Sequence, residues 1–341
     1  MFRKSYLLVA MIISIALLTG CTSRQIKDTT GVNILLTDIP PEDKELKAQM
    51  NGEGRKIILA PVEYSAPANS EIASKVYDDL SQRLLKSGNT VVDRALAAKL
   101  KNELLAAEVS GQFRTSGPAV AEIALMTKIT HLSYGSTFHK AHSWKSKSGE
   151  WKKRDAYCSF SGKAHLNLRA YKVPSMDLIN TYEYEGSART TVDTSRSSCP
   201  ISNASLYNLF NKSLSKAIKN GSGETLNDLA PEAYVIERRD FEGGSESIFH
   251  VTIGKKSGAT EDAVVKFYRK EKRITPITNE TRIDKVLLGE GEIFAEGITD
   301  QGSYVYVDDE ELIDELRIGD VVKLDHGKCD FDEYAVFGSC I

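Results

Sequence analysis

A chain of 341 residues, 41% hydrophobic and 27% charged, holds enough apolar material for about two packed domains. Its 44 Lys and Arg against 47 Asp and Glu give a formal net charge of -3, which offers no electrostatic footprint for a phosphate backbone and excludes nucleic acid as the expected partner. The chain opens MFRKSYLLVAMIISIALLTGC, with Arg3 and Lys4 ahead of an apolar run from Tyr6 to Leu18. That run is too short and wrongly flanked for a transmembrane helix, so residues 1–20 are expected to be a secretory signal peptide.

The run ends Leu18-Thr19-Gly20-Cys21, which resembles the lipobox of bacterial lipoproteins: an apolar residue, two small ones and a thiol. The resemblance implies that Cys21 becomes the acylated first residue of the mature chain, with diacylglycerol and a palmitate-type chain holding it to the lipid bilayer. Three acyl chains exceed the two signals needed for stable anchoring. In such lipoproteins an Asp after the Cys retains the protein in the inner membrane. Here that position is Thr22, so the resemblance implies the periplasmic face of the outer membrane. Residues 22–55 are mostly polar, hold Pro40 and Pro41, and carry only the short apolar patch VNILL. They are expected to form a flexible tether from the lipidated residue, reaching roughly 30 to 35 Å as a coil and about 110 Å at full extension.

Order is expected from Lys56, where KIILAPVEY reads as a buried strand. In NSEIASKVYDDLSQRLLKSG the residues Ile72, Val76, Leu80, Leu84 and Leu85 recur at helical spacing, Ser70 can cap, and Gly88 stops the helix. TVVD is a strand leading to Arg94, ALAAKLKNELLAAEVSG and PAVAEIALMTKI are expected helices, and THLSYGSTF is a strand. The basic cluster KSKSGEWKKR at 145–154 reads as a solvated hairpin tip. FSGKAHLNLRAYKV and DLINTYEYEGSART flank the turn PSMD as a hairpin with Ala164, Leu166, Leu168 and Ala170 on one face. The helix ASLYNLFNKSLSKAIKNG closes a domain over 56–225, with Leu206, Leu209, Phe210, Leu214 and Ile218 on its apolar side. A second domain over 245–341 is expected from the strands IFHVTIG, DAVVKFYRK, RIDKVLLGEGEIFAEGITDQGSYVYVDD and RIGDVVKLD, with a helical turn at ELIDEL. It reads as a small β-barrel of the SH3-like or OB-like kind.

With Cys21 carrying lipid, four cysteines remain: Cys158, Cys199, Cys329 and Cys340. An even number in an oxidising periplasm reads as two disulfides, and four cysteines allow three connectivities. The favoured pairing is Cys158 with Cys199, flanking one hairpin, and Cys329 with Cys340, closing a short loop that pins the C-terminus. His131, His139 and His142 could open a metal site, but no carboxylate or further His falls at supporting spacing. Around His326 the carboxylates Asp325, Asp330 and Asp332 lack the spacing of a calcium loop and read as a solvated disulfide loop. GxSxG and SxxK signatures are absent, and GEGEIFAEG is not followed by a helix that could hold phosphate. No catalytic residue, metal or cofactor is expected, and the chain is not read as an enzyme.

KIILAPVEY, YDDLSQRLLKSGNTVVDR ending at Arg94, the ELLAAE helix and the hairpin AHLNLRAYKVPSMDLINTYEYEG together resemble the CsgG-like family of curli assembly and transport lipoproteins and the amino-terminal domain of TolB. The C-terminal strands resemble modules of the flagellar protein FlgT. The resemblance implies an α+β fold: an α/β sandwich with a mixed sheet and helices, plus the small C-terminal barrel. It also implies homo-oligomeric rings. Curli channels cross the membrane with two long hairpins of alternating apolar residues. The corresponding segments here, HKAHSWKSKSGEWKKRDAYCSF and SARTTVDTSRSSCPISNAS, are charged and polar, so no transmembrane pore is expected. The function read from the sequence is a non-enzymatic assembly or secretion accessory, binding periplasmic or outer-membrane protein partners from its lipid anchor. A curli-type channel subunit and an activator of cell-wall synthases are the alternatives.

Overall fold

The computed structural model describes residues 24–51, 54–92, 121–173, 175–277 and 279–327, with the backbone of 335–336 and 339–340. The signal peptide, Cys21, Arg94, the ALAAKLKNELLAAEVSG segment and Cys329 lie outside the described residues. Elements in chain order are β1 (Thr29–Val32), α1 (Asp43–Met50), β2 (Lys56–Leu59), α2 (Ser70–Lys86), β3 (Thr90–Val91) and β4 (Ile123–His139). A hairpin of β5 (His142–Lys145) and β6 (Trp151–Arg154) leads back into β7 (Tyr157–Lys172), followed by β8 (Asp177–Asp193) and α3 (Asn203–Leu229).

Five strands form one mixed sheet in the order β3-β2-β4-β7-β8. β2 pairs in parallel with β3 and β4, and the β4–β7 and β7–β8 ladders are antiparallel. α2 forms where the apolar stripe predicts it, burying Ile72, Val76, Leu80 and Leu84. Its cap is Asn69, whose side chain accepts a hydrogen bond from Ile72 N at 2.9 Å, one residue before the expected Ser70. Leu85 turns to solvent. Both α2 and α3 cover the same sheet face, so that Val76, Leu80, Phe210, Leu214 and Ile218 join Ile57, Leu59, Leu125, Leu166 and Leu168 in one core. α3 lies so close to β8 that a Cβ on Gly186 would stand 2.2 Å from Ala217 N. Only glycine fits that approach.

The expected helix at PAVAEIALMTKI is instead, from Ile123 on, the first half of β4. Ile123, Ala124, Leu125 and Met126 are all buried, because this stretch lies between parallel β2 and antiparallel β7 with side chains covered on both faces. A strand buried on both faces reads as a continuous apolar run, which periodicity cannot distinguish from a buried helix.

The second sheet contains β9 (Ala233–Phe241), β10 (Ser247–Val251), β11 (Val264–Ile274), β12 (Thr281–Ile293), β13 (Ser303–Val307) and β14 (Val321–Leu324), with α4 (Glu310–Glu315) before β14. Its order is β1-β9-β10-β13-β12-β11-β14, all antiparallel. β14 also pairs with β9 through Val321↔Tyr234 and Val322↔Ala233, so the ladder of six strands returns on itself around Val235, Phe249, Val265, Phe267 and Val305. Asp320, fully buried, pairs with Arg269 Nη2 at 2.7 Å inside this unit. The unit begins at Ala233 rather than 245. Its first strand, AYVIERRDF, was obscured by its charges, which pair across the sheet surface, as in Arg238 Nε to Asp240 Oδ1 at 2.7 Å.

The residues expected to be a flexible tether are also part of this unit. β1 pairs antiparallel with β9 from Thr29↔Phe241 to Val32↔Arg238, Thr37 N donates to Ile318 O at 2.8 Å, and Ile34 packs against the core. Tyr234 donates to Glu45 of α1 at 3.3 Å. The patch VNILL has a sheet edge to cover, and an unpaired edge attracts a strand; polarity alone did not indicate a coil.

Candidate functional site

Three places bear on function: the start of the described chain, the hairpin beyond β4 and β7, and the junction between the two sheets. At the first, Arg24 stands three residues after Cys21. Its guanidinium donates to Tyr306 OH at 2.6 Å, pairs with Glu246, and lies 5.5 Å from the ring centres of Phe241 and Tyr306. Ile26 N donates to Glu296 at 2.7 Å. The chain is therefore held from Arg24 onward, at the end of β9 farthest from α3. Cys21 itself lies outside the described residues.

The β5–β6 hairpin continues the β4–β7 ladder as an arm whose eight strand residues are all exposed. Its register pairs His142↔Arg154, Ser143↔Lys153, Trp144↔Lys152 and Lys145↔Trp151. Directly opposed residues share a face and neighbours alternate. One face therefore carries Trp144 with Lys152 and Arg154, and the other Trp151 with Lys145 and Lys153. Both tryptophans of the chain are here, 42% and 75% exposed. Residues 140–155 hold six cations (Lys140, Lys145, Lys147, Lys152, Lys153 and Arg154) against Glu150 and Asp155. Lys153 meets Asp155 at 3.2 Å and Arg154 lies 3.8 Å over the Tyr157 ring, whereas Lys140, Lys145, Lys147 and Lys152 have no ion-pair partner among the described residues.

At the foot of the arm the structure joins Cys158 to Cys199, with Cα atoms 5.5 Å apart. Cys158 sits inside β7, paired with Phe138 and Val192, rather than outside the hairpin, and the bridge is buried with Phe160, Ala188 and Leu209. It ties the base of the arm to the start of α3. Cys340 is in β16 (Ser339–Cys340), whose backbone pairs with β15 (Ala335–Val336); its side chain, like Cys329, lies outside the described residues.

The junction was not legible in the sequence, because its residues come from segments about a hundred positions apart. Asn227 near the end of α3 donates to Asp325 at 2.8 Å, accepts from His326 N at 2.6 Å, and its carbonyl accepts from Lys323 Nζ at 3.0 Å. Lys266 Nζ meets Asp325 at 3.0 Å, and Tyr182 donates to Asp228 at 2.7 Å. Asp325 and His326, expected in a solvated loop, are thus built into the joint. Burial pushes the His326 imidazole down to about 4, and burial with the Arg55 and Lys285 charges pushes Lys323 down to about 8. The cleft here, about 650 Å³, is lined by Tyr182, Asn227, Asp228, Lys266, Asp325 and His326 among others. Asn227 and its partners act as a fastener between the two sheets.

The histidines named as candidate ligands stay apart in role. His131 bonds Ser133 Oγ at 2.8 Å, His139 stacks on Tyr157 with ring centres 4.5 Å apart, and His142 leans on Trp144. Among the described residues no three His, Cys, Asp or Glu side chains gather as metal ligands could. No helix among them is long and apolar enough to cross a membrane.

No family model matches the chain, and no curated protein matches it. Among solved structures, a hypothetical protein of Chlamydia trachomatis is similar at 12% identity and a TM-score of 0.25, over 40% of this chain and 72% of that one. A lipoprotein of Neisseria meningitidis is similar at 11% identity and a TM-score of 0.22, over 46% of this chain and 92% of its own. A Xanthomonas campestris protein of the DUF330 family is similar at 9% identity and a TM-score of 0.19, over 59% and 90%.

Proposed function

We propose that this chain is a lipid-anchored lipoprotein of the outer membrane, facing the periplasm, that works without catalysis by presenting binding surfaces at a fixed height above the bilayer. The observation that carries the reading is the hold on Arg24 by Glu246 and Tyr306, three residues from the lipobox cysteine. Three residues extend at most about 10 Å. The anchor would therefore keep the second sheet against the bilayer, where the tether reading gave it a reach of about 110 Å. Fixed placement raises the local concentration of partners at one height and lets modest interfaces suffice. The five-stranded sheet with α2 and α3 is assigned to the CsgG-like and TolB amino-terminal kind of core, and the six-stranded ladder to the SH3-like or OB-like barrels.

The test is the mass of the N-terminal peptide from protein extracted from membranes. A peptide starting at Cys21 and carrying diacylglycerol and a third acyl chain is expected, with Cys21→Ser leaving an unprocessed chain. An unmodified peptide overturns the anchor. Sizing and imaging of the detergent-extracted particles separates the roles: monomers or small complexes fit an accessory, and rings with a detergent-belted barrel make it a channel.

A further inference from the structure

The β5–β6 arm leaves much of its charge uncommitted among the described residues. Four of its lysines lack ion-pair partners among the described residues, and its two indoles, 42% and 75% exposed, pack against no apolar core. We propose that the arm docks a glycan strand that carries acidic peptides, each face of the hairpin offering one indole beside cations. Trp144 faces Lys152 directly, with Arg154 diagonal to it, and Trp151 faces Lys145, with Lys153 two residues on along its own strand. The flat C–H face of a pyranose ring covers an indole, whose surface is large and apolar. The neighbouring ammonium groups meet the free carboxylates of the peptides that the strand carries.

Other occupants fit less well. A stable protein interface buries about 800 Å² on each partner around a contiguous apolar centre, and here every indole is isolated by charges on a two-stranded ribbon. A bilayer surface asks for aromatic side chains in one interfacial belt, while these two point from opposite faces. The proposal depends on the lipoprotein reading only for where the glycan would be met, namely the peptidoglycan layer facing the membrane.

The test is co-sedimentation of the detergent-solubilised full chain with purified peptidoglycan sacculi, beside vesicles containing phosphatidylglycerol. Trp144→Ala/Trp151→Ala and Lys145→Glu/Lys152→Glu/Lys153→Glu are compared with the parent. All these variants keep Cys21, so the anchor contributes equally and cancels, and failure of the lipidation reading does not alter the result. The substituted side chains are exposed, so melting temperatures should match the parent's. The expected result is pelleting with sacculi, weakened by 0.5 M salt and at least tenfold lower in both variants. A parent that stays in solution, or variants that pellet equally, overturns the proposal. Loss confined to the vesicles overturns it in favour of a lipid surface.

Discussion

The β5–β6 arm and the outer half of the β11–β12 hairpin both run past the sheets that launch them. In the second, the charges pair with one another. Arg273 meets Glu271 at 3.4 Å and Asp284 at 3.6 Å, Arg282 meets Asp284 at 3.2 Å, and Lys270 meets Glu232 at 3.3 Å, with Lys285 on the same carboxylate. Ile274 and Ile283, exposed at 66% and 56%, share a face there with Lys272. The first hairpin leaves its cations largely unpaired and exposes indoles. A free ribbon needs charged groups to stay soluble and to keep other strands off its edges, and that need is met by self-neutralised pairs or by a net positive field. The two bases differ as well, one fastened by Cys158–Cys199 and the other by the buried Arg269–Asp320 pair beneath β11.

The contrast between the two bases can be broken by mutation. Asp320→Ala leaves Arg269, which is 8% exposed, with only the half-exposed Glu315 carboxylate at 3.4 Å, and should cost about 3 kcal/mol, the low end for breaking a buried pair, read in a denaturant melt. If it costs under 1 kcal/mol, the ion pair does not fasten the β11–β12 base. Removing the disulfide by Cys158→Ser/Cys199→Ser releases a closure over a separation of 41 residues and should cost about 2 to 4 kcal/mol. Melts with and without reductant should reproduce that loss in the parent and show none in the variant.

Near the foot of the β11–β12 hairpin, Lys323 adds a pH signature. Its folded-state value of about 8 lies below the ordinary 10.5, so between these pH values the unfolded chain binds the extra proton. Stability should therefore rise with pH across that window, by at most about 1.4 kcal/mol per unit, and Lys323→Met should flatten the rise. A parent with no slope there would mean that the lysine stays solvated. The smallest effect is at the tip: Ile283→Thr should change stability by no more than about 0.5 kcal/mol, and a larger loss in a melt would show that the exposed isoleucines are covered.

Much of the five-stranded sheet was legible because its elements carry one-sided patterns. Ile72, Val76, Leu80 and Leu84 fix α2, and the alternation of Ala164, Leu166, Leu168 and Ala170 fixes β7; all are buried. The pattern failed where both faces are covered, at Ile123–Met126. It failed also at β1 and β9, whose polar and charged residues sit on a sheet surface and pair there. The Cys158–Cys199 bridge rested on where the hairpin ends fell. The junction at Asn227 had no local signal, since its partners Lys323, Asp325 and His326 become neighbours only when the two sheets meet. The basic cluster was visible in KSKSGEWKKR, but which residues share a face with Trp144 and Trp151 required the register.

The pairing of β1 with β9 sets an order of events during synthesis. Thr29 meets Phe241, a partner that emerges 212 positions later, and at 5 to 20 residues per second this takes roughly 10 to 40 s. Throughout that interval β1 has no β9 to pair with. Once β9 arrives the segment is drawn down and Arg24 finds Glu246. The segment from Arg24 to Val32 thus takes its place only after the far half of the chain has arrived.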